Sequence, residues 1–287
     1  MELRKLFVIF ESTALRRANL RSALAIMICF ASLSAVSAVD ANGSSADVSA
    51  IKAAVESPRR SAKNVARDFY RHPVETLTFF GVKPDETVVE IWPGNGWYAE
   101  ILAPLLRDHG KYIVALPLGK GHDAITALFA KDPARFSGAI VTALATGKTS
   151  DIAPAGSADV VLTFRNVHNF LKAGTAASAQ FFADCYRALK PGGVLGIEDH
   201  RLPENEASEL EISSGYIKRS TVIRLAEAAG FKFDGESQIN NNPKDDHHHP
   251  KGVWTLPPTY ALGGIDHAKY EAIGESDRFT LRFIKSR

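Results

Sequence analysis

The chain is poor in cysteine, in long apolar runs and in any surplus of one charge. Its two cysteines in 287 residues are Cys29 and Cys185. Cys29 falls in the N-terminal stretch described next, so Cys185 is left without a partner and a disulfide framework is excluded. No stretch reaches the about 20 apolar residues that a membrane-spanning helix needs. Lysine plus arginine number 34 against 32 for aspartate plus glutamate, which is not the footprint of a nucleic-acid binder. Internal repeats are absent, and low complexity is confined to a short polar connection and one histidine cluster. The composition, 45% hydrophobic and 23% charged, is ordinary for a globular chain and argues against a disordered or fibrous one. The length suits one α/β domain behind a leader, or at most two small domains.

Residues 1–38 have the pattern of a secretory signal peptide. Arg16, Arg17 and Arg21 precede an apolar run from Ala23 to about Ala35, which closes on the small residues of Val36-Ser37-Ala38. An uncleaved anchor is the alternative. Arg16-Arg17-Ala18-Asn19-Leu20 approximates a twin-arginine signal, with Asn19 where an apolar residue is usual. The leader carries five bases against two acids, so its removal takes the net charge from +2 to about −1. The expected product is periplasmic or secreted, with no membrane segment in the mature form and no nucleic-acid partner. Residues 39–50 are small and polar and read as a flexible linker.

From residue 51 onward the apolar periodicity alternates between strand and helix. Ile51 to Phe80 is helical, with breaks at Ser57-Pro58 and His72-Pro73. Strands are expected at Thr87–Ile91, Lys111–Leu116, Ala139–Leu144, Ala158–Thr163, Val194–Ile197, Phe231–Phe233 and Arg278–Ile284. Helices are expected at Tyr98–Asp108, Ser178–Leu189 and Ser220–Ala229. That order calls for an α/β fold, a doubly wound and mostly parallel Rossmann-like sheet, over residues 51–287.

Three places carry chemistry. Val88-Val89-Glu90-Ile91-Trp92-Pro93-Gly94-Asn95-Gly96 is a strand ending in an acid and running through a glycine turn into a helix, a form that admits a nucleotide close to the backbone. Ligands of such sheets bind beyond the carboxyl ends of the strands. The segments leaving the fourth and fifth strands, Phe164-Arg165-Asn166-Val167-His168 and Glu198-Asp199-His200-Arg201, should therefore face one crevice. His168 or His200 can act as a general base and Asp199 can orient a histidine; capping of helices and loop backbone is the plainer role for the same residues. The loop of about residues 240–276 is long enough to be a lid. Its Asp245-Asp246-His247-His248-His249 run has ligand types that suit zinc or copper, or is simply solvated.

Gly156-Ser157-Ala158-Asp159-Val160-Val161-Leu162, Ala188-Leu189-Lys190-Pro191-Gly192-Gly193-Val194-Leu195 and Ala228-Ala229-Gly230-Phe231 follow the glycine turn in order. Together they resemble the class I S-adenosylmethionine-dependent methyltransferase superfamily. Arg67-Asp68-Phe69-Tyr70-Arg71 and Phe79-Phe80-Gly81-Val82-Lys83-Pro84 are similar to an exported subgroup of it. The resemblance implies an antiparallel last strand, and S-adenosylmethionine as cofactor, held at Glu90, Trp92, Gly94, Asn95, Gly96 and Asp159. It implies methyl transfer to a small molecule, with His168, Asp199 and His200 catalytic. Three positions depart from the pattern. Trp92 stands where glycine is usual, and Leu116 where an acid receives the ribose hydroxyls. The acid expected at the adenine falls near Gly147. An exported small-ligand- or metal-binding protein that has lost the cofactor is the alternative function.

Overall fold

The apolar stretches assemble into one mixed sheet. The structure, a computed structural model, describes residues 44–287; the expected leader and the first residues of the linker lie outside the described residues. The strands are β1 (Thr87–Ile91), β2 (Lys111–Leu116), β3 (Ile140–Ala143), β4 (Ala158–Phe164), β5 (Leu189–Leu202), β6 (Ile217–Lys218), β7 (Phe231–Ser237), β8 (Pro250–Val253) and β9 (Arg278–Lys285). Their order across the sheet is β3-β2-β1-β4-β5-β9-β7, with β6 beside the end of β5. The pairs β1–β2, β1–β4, β2–β3 and β4–β5 are parallel, while β9 runs antiparallel to both β5 and β7. This is the doubly wound, mostly parallel sheet that the pattern predicts.

Central strands read as unbroken apolar runs because helices cover both faces. Val88, Val89 and Ile91 of β1 and Val161 and Leu162 of β4 are fully enclosed. They divide between two core clusters, one on each side of the sheet. Topology then fixes where chemistry can sit. The carboxyl ends of β1, β4 and β5 share one edge, and the antiparallel β9 brings its amino end there too, with His200 opposite Arg278.

Residues 45–50, expected as flexible linker, are instead the first turns of a helix, Ser45–Val55. Ser44 accepts from the backbone N–H of Asp47 and the Asp47 carboxylate returns the bond, a capping box that satisfies two otherwise orphaned donors. The helices Lys120–Lys131, Val167–Lys172 and His267–Ile273 are also beyond what the apolar pattern predicts. Among the described residues, no helix is long and apolar enough to cross a membrane.

Candidate functional site

A cavity of about 510 Å³ lies at the shared edge of the sheet. Its floor is the β1 turn (Glu90, Trp92 to Asn95) and the exit of β4 (Phe164 to Asn166, with His168). Helical turns before β1 close one side through Asn64, Arg67 and Arg71, and the long loop after β7 closes the other through Val253, Trp254 and Pro257 to Thr259. The loop is therefore a lid in place. It is pinned where the N–H of Val253 donates to Ser214 O at 2.8 Å.

His168, Asp199 and His200 come together as expected. Asp199, fully buried at the end of β5, accepts the His168 Nδ1–H at 2.8 Å and the His168 and His200 backbone N–H groups at 3.2 and 2.8 Å. An Nδ1 committed to a carboxylate leaves Nε2 as the basic nitrogen, on a side chain that lines the cavity. Asp199 has spent its acceptors within the protein and positions His168. The His200 ring lies 5.3 Å from that of His168, with Nδ1 at 2.6 Å from Ser276 Oγ. Burial, then His168 and Arg165, hold its pKa well below the usual histidine value. His200 is thus a neutral hydrogen-bonding group, and of the two histidines His168 is the one placed to take a proton.

The turn after β1 keeps a glycine-like backbone without its first glycine. Trp92 has φ +50°, a left-handed conformation that costs a bulky residue about 1–2 kcal/mol. Its N–H donates to Ala115 O at 2.8 Å, and Asn166 Nδ2 donates to Ile91 O and Trp92 O at 3.0 and 3.2 Å. The indole meets the Phe170 ring edge-on at 5.9 Å. Gly94 and Gly96 differ in kind. At Gly94 (φ +58°) an added Cβ would meet nothing within 4 Å, whereas at Gly96 (φ +77°) it would lie 2.8 Å from Leu128 Cδ2. Gly94 exposes backbone to the cavity; Gly96 lets helix Lys120–Lys131 pack on the turn, a reason the sequence did not reveal. Glu90, buried beneath, accepts a short hydrogen bond from Tyr112 Oη. Burial pushes its pKa up to about 7, against the lowering effects of that bond and of Arg165 and Arg71.

Asp159 is a correction. It begins β4, at the opposite end of the strand from the cavity, where its carboxylate accepts from the Thr87 N–H at 2.9 Å and Lys190 Nζ at 2.6 Å. It joins strands and does not reach a ligand. The Asp245–His249 run also takes a different part. Asp245 accepts from Tyr216 Oη, His249 Nε2 and the N–H groups of His247 and Asp277, all within 3.1 Å. A carboxylate so occupied serves the protein's own hydrogen bonds, although the ligand atoms of Asp245, Asp246 and His249 also lie within 4.8 Å of one another. The run ties the lid to the start of β9, and its tie to the site is indirect: Tyr216, whose ring is 6.2 Å from that of His200.

Sequence reasoning missed the charge of the site. Arg67 Nε and Arg71 Nε bind Glu275 at 2.7 and 3.2 Å, Arg165 Nη1 binds Glu198 at 2.8 Å, and Arg278 Nη1 reaches both acids at 3.1 Å. The arginines hold the Glu275 pKa down to about 2, although burial alone would raise it. The signal available was the i, i+4 spacing of Arg67 and Arg71, which puts both on one helical face.

Residues 89–197 match the family model of the methyltransferase domain. The fold is similar to that of a SAM-dependent methyltransferase from Aquifex aeolicus, with 16% identity over 83% of this chain and 98% of that one and a TM-score of 0.53. It is equally similar to the [4+2]-cyclase SpnF, with 15% identity over 80% of this chain and 84% of that one and a TM-score of 0.53. No curated protein matches the chain in sequence. These likenesses establish a Rossmann-like fold, and the cyclase illustrates that one scaffold serves more than one chemistry. The residues present fit that cofactor at one end. Gly94 leaves open backbone above a buried acid and the cavity continues from it, while Leu116, 1% exposed, offers a ribose no acceptor.

Proposed function

We propose that the protein transfers a methyl group from S-adenosylmethionine to a small molecule held in this cavity. The observation that carries this reading is that the open Gly94 turn and His168, held from behind by Asp199, face one cavity, and that both Gly94 and His168 fall within the segment matched by the methyltransferase domain. The alternative of a ligand- or metal-binding protein that has lost the cofactor is not favoured by that match.

Glu90, Gly94 and Asn95 would hold the cofactor, with Trp92 as a wall. When bound, it supplies an electrophilic methyl group. His168 Nε2 accepts the proton of the attacking atom, because Asp199 fixes the Nδ1–H tautomer and stabilises the imidazolium that forms. His200, neutral, donates or accepts one hydrogen bond from the cavity wall. Trp254 and Pro257-Pro258 exclude water, which suits a small molecule rather than a polymer. Methyl transfer depends chiefly on alignment, so a modest base suffices.

Isothermal calorimetry of the purified protein with S-adenosylmethionine tests the reading; no binding at millimolar cofactor would overturn it. We also propose export: the mature N-terminus should lie near Val39, and full-length protein confined to the cytoplasm would refute it.

A further inference from the structure

We infer that the substrate is a small acid whose oxyanion group is received by Arg67, Arg71 and Arg165 and whose apolar body lies against the tryptophans of the cavity. The inference rests on the methyl-transfer reading for the word substrate; the anion site stands on geometry alone.

Four guanidinium groups, those of Arg67, Arg71, Arg165 and Arg278, share two carboxylates, Glu198 and Glu275. The cluster therefore carries two positive charges beyond its acids, largely screened from water: Arg71, Arg278, Glu198 and Glu275 are each at most 4% exposed. Burial and the neighbouring Arg165 lower the Arg71 pKa, the direction expected of an under-neutralised cation. Glu90, the other acid on the wall, is raised toward neutrality and does not balance the cluster.

Hydrogen-bonding capacity is left over as well. Arg67 Nη2 is buried without a partner in the protein, and among the described residues Arg71 bonds only through Nε. Lys63 adds an ammonium to the same wall and makes no ion pair among the described residues. Guanidinium donors in a fixed fork match the paired oxygens of a carboxylate or phosphate. The same surplus charge disfavours a divalent cation between His168 and His200, although their spacing alone would admit one. All three tryptophans of the chain, Trp92, Trp97 and Trp254, line this cavity. Trp97 lies under Arg71, whose guanidinium carbon is 4.7 Å from the ring centroid. The anionic subsite is thus continuous with an aromatic wall.

Because every tryptophan lines the cavity, intrinsic fluorescence reports binding there without any cofactor present. The purified protein is titrated with benzoate, phenyl phosphate and the neutral isostere benzamide. One or both anions should bind at least about tenfold more tightly than benzamide, and which is tighter tells carboxylate from phosphoryl substrates. Arg67→Gln should weaken the anions about tenfold and leave benzamide unchanged. Lys63→Gln, at an exposed position that poses no risk to folding, should weaken the anions by a smaller factor. Equal affinity for benzamide, or anion affinity unmoved by both variants, overturns the inference. So does full competition by S-adenosylhomocysteine, which would assign the arginines to the cofactor's own carboxylate. Failure of S-adenosylmethionine to bind while benzoate still does would remove the methyl-transfer reading and leave the anion site standing.

Discussion

Replacing Glu90 by glutamine should make the protein more stable at pH 8 and leave it unchanged at pH 4. Glu90 is 2% exposed, and its carboxyl pKa rises from 4.5 in an unfolded chain to about 7 in the folded one, chiefly through burial. Between those values the unfolded chain has released this proton and the folded protein retains it. Wild-type stability therefore falls as pH rises through that window and stays reduced above it. The interval corresponds to about 3 kcal/mol, since one unit is about 1.36 kcal/mol. Glutamine keeps the shape and still accepts from Tyr112 Oη, but never ionises. Urea denaturation of both proteins at pH 4, 6 and 8 measures the difference, which should grow from near zero to about 2–3 kcal/mol. Comparing the two cancels other titrating groups, notably His200, whose depressed pKa removes stability from both as pH falls below 6.5. A difference that does not vary with pH, or a variant less stable at pH 8, would refute the reasoning. The same substitution should weaken S-adenosylmethionine in calorimetry, because the carboxylate that a cationic ligand would draw out is gone.

The remaining expectations concern the turn, the dyad, the lid and the coupling of ligands. Gly94→Ala should fold with a loss of about 1–2 kcal/mol from its left-handed backbone and lose cofactor affinity; Gly96→Ala, which also meets Leu128, should lose about 2–4 kcal/mol in thermal or urea unfolding. His168→Gln and Asp199→Asn should each lower methyl transfer by about 10²-fold or more with the fold retained by circular dichroism, and equal loss of substrate binding instead would remove the base role. Asp245→Asn should destabilise the protein by about 1–3 kcal/mol in urea unfolding, while a chelator changes neither its stability nor its metal content. Benzoate should tighten S-adenosylmethionine, a sulfonium, more than the uncharged thioether S-adenosylhomocysteine, by about 5-fold or more in calorimetry, since the anion offsets the cluster's positive charge.

The sheet was legible because its signals are local. Apolar runs such as Val88 to Ile91 and Val160 to Leu162 announce strands buried on both faces, and β2 and β4 begin where the apolar pattern does. The boundaries that went wrong are set by single hydrogen bonds. Helix Ser45–Val55 starts within an apparently featureless Ser/Gly/Ala stretch because Asp47 completes a cap with Ser44. Strand β5 takes in Leu189 through its single pairing with Ala158, but Lys190-Pro191-Gly192-Gly193, a sequence that reads as a turn, pair with neither neighbour, and regular pairing with β4 and β9 begins at Val194, where the apolar pattern starts the strand. Helix Val167–Lys172 is too short, at six residues, to show a helical period.

The site was legible where strand ends dictate it and illegible where distant segments meet. Any parallel sheet brings the exits of β4 and β5 to one edge, so topology alone places His168 and Asp199 together. No such rule joins Arg67 and Arg71, which precede the sheet, to Glu275 and Arg278, more than 200 residues later, and nothing local in the sequence marks them as partners. The histidine run left two readings open, metal ligands or a solvated loop, and the structure shows a further role: Tyr216 Oη, His249 Nε2 and the Asp277 N–H converge on Asp245 and tie the lid to the start of β9. Asp159 failed on direction alone: a residue one step into a strand lies a full strand length from the crevice at its other end. Which end of an element a residue occupies decides its chemistry as much as what the residue is, and that is why a glycine turn and a histidine found from the sequence share a cavity while an aspartate found with them does not.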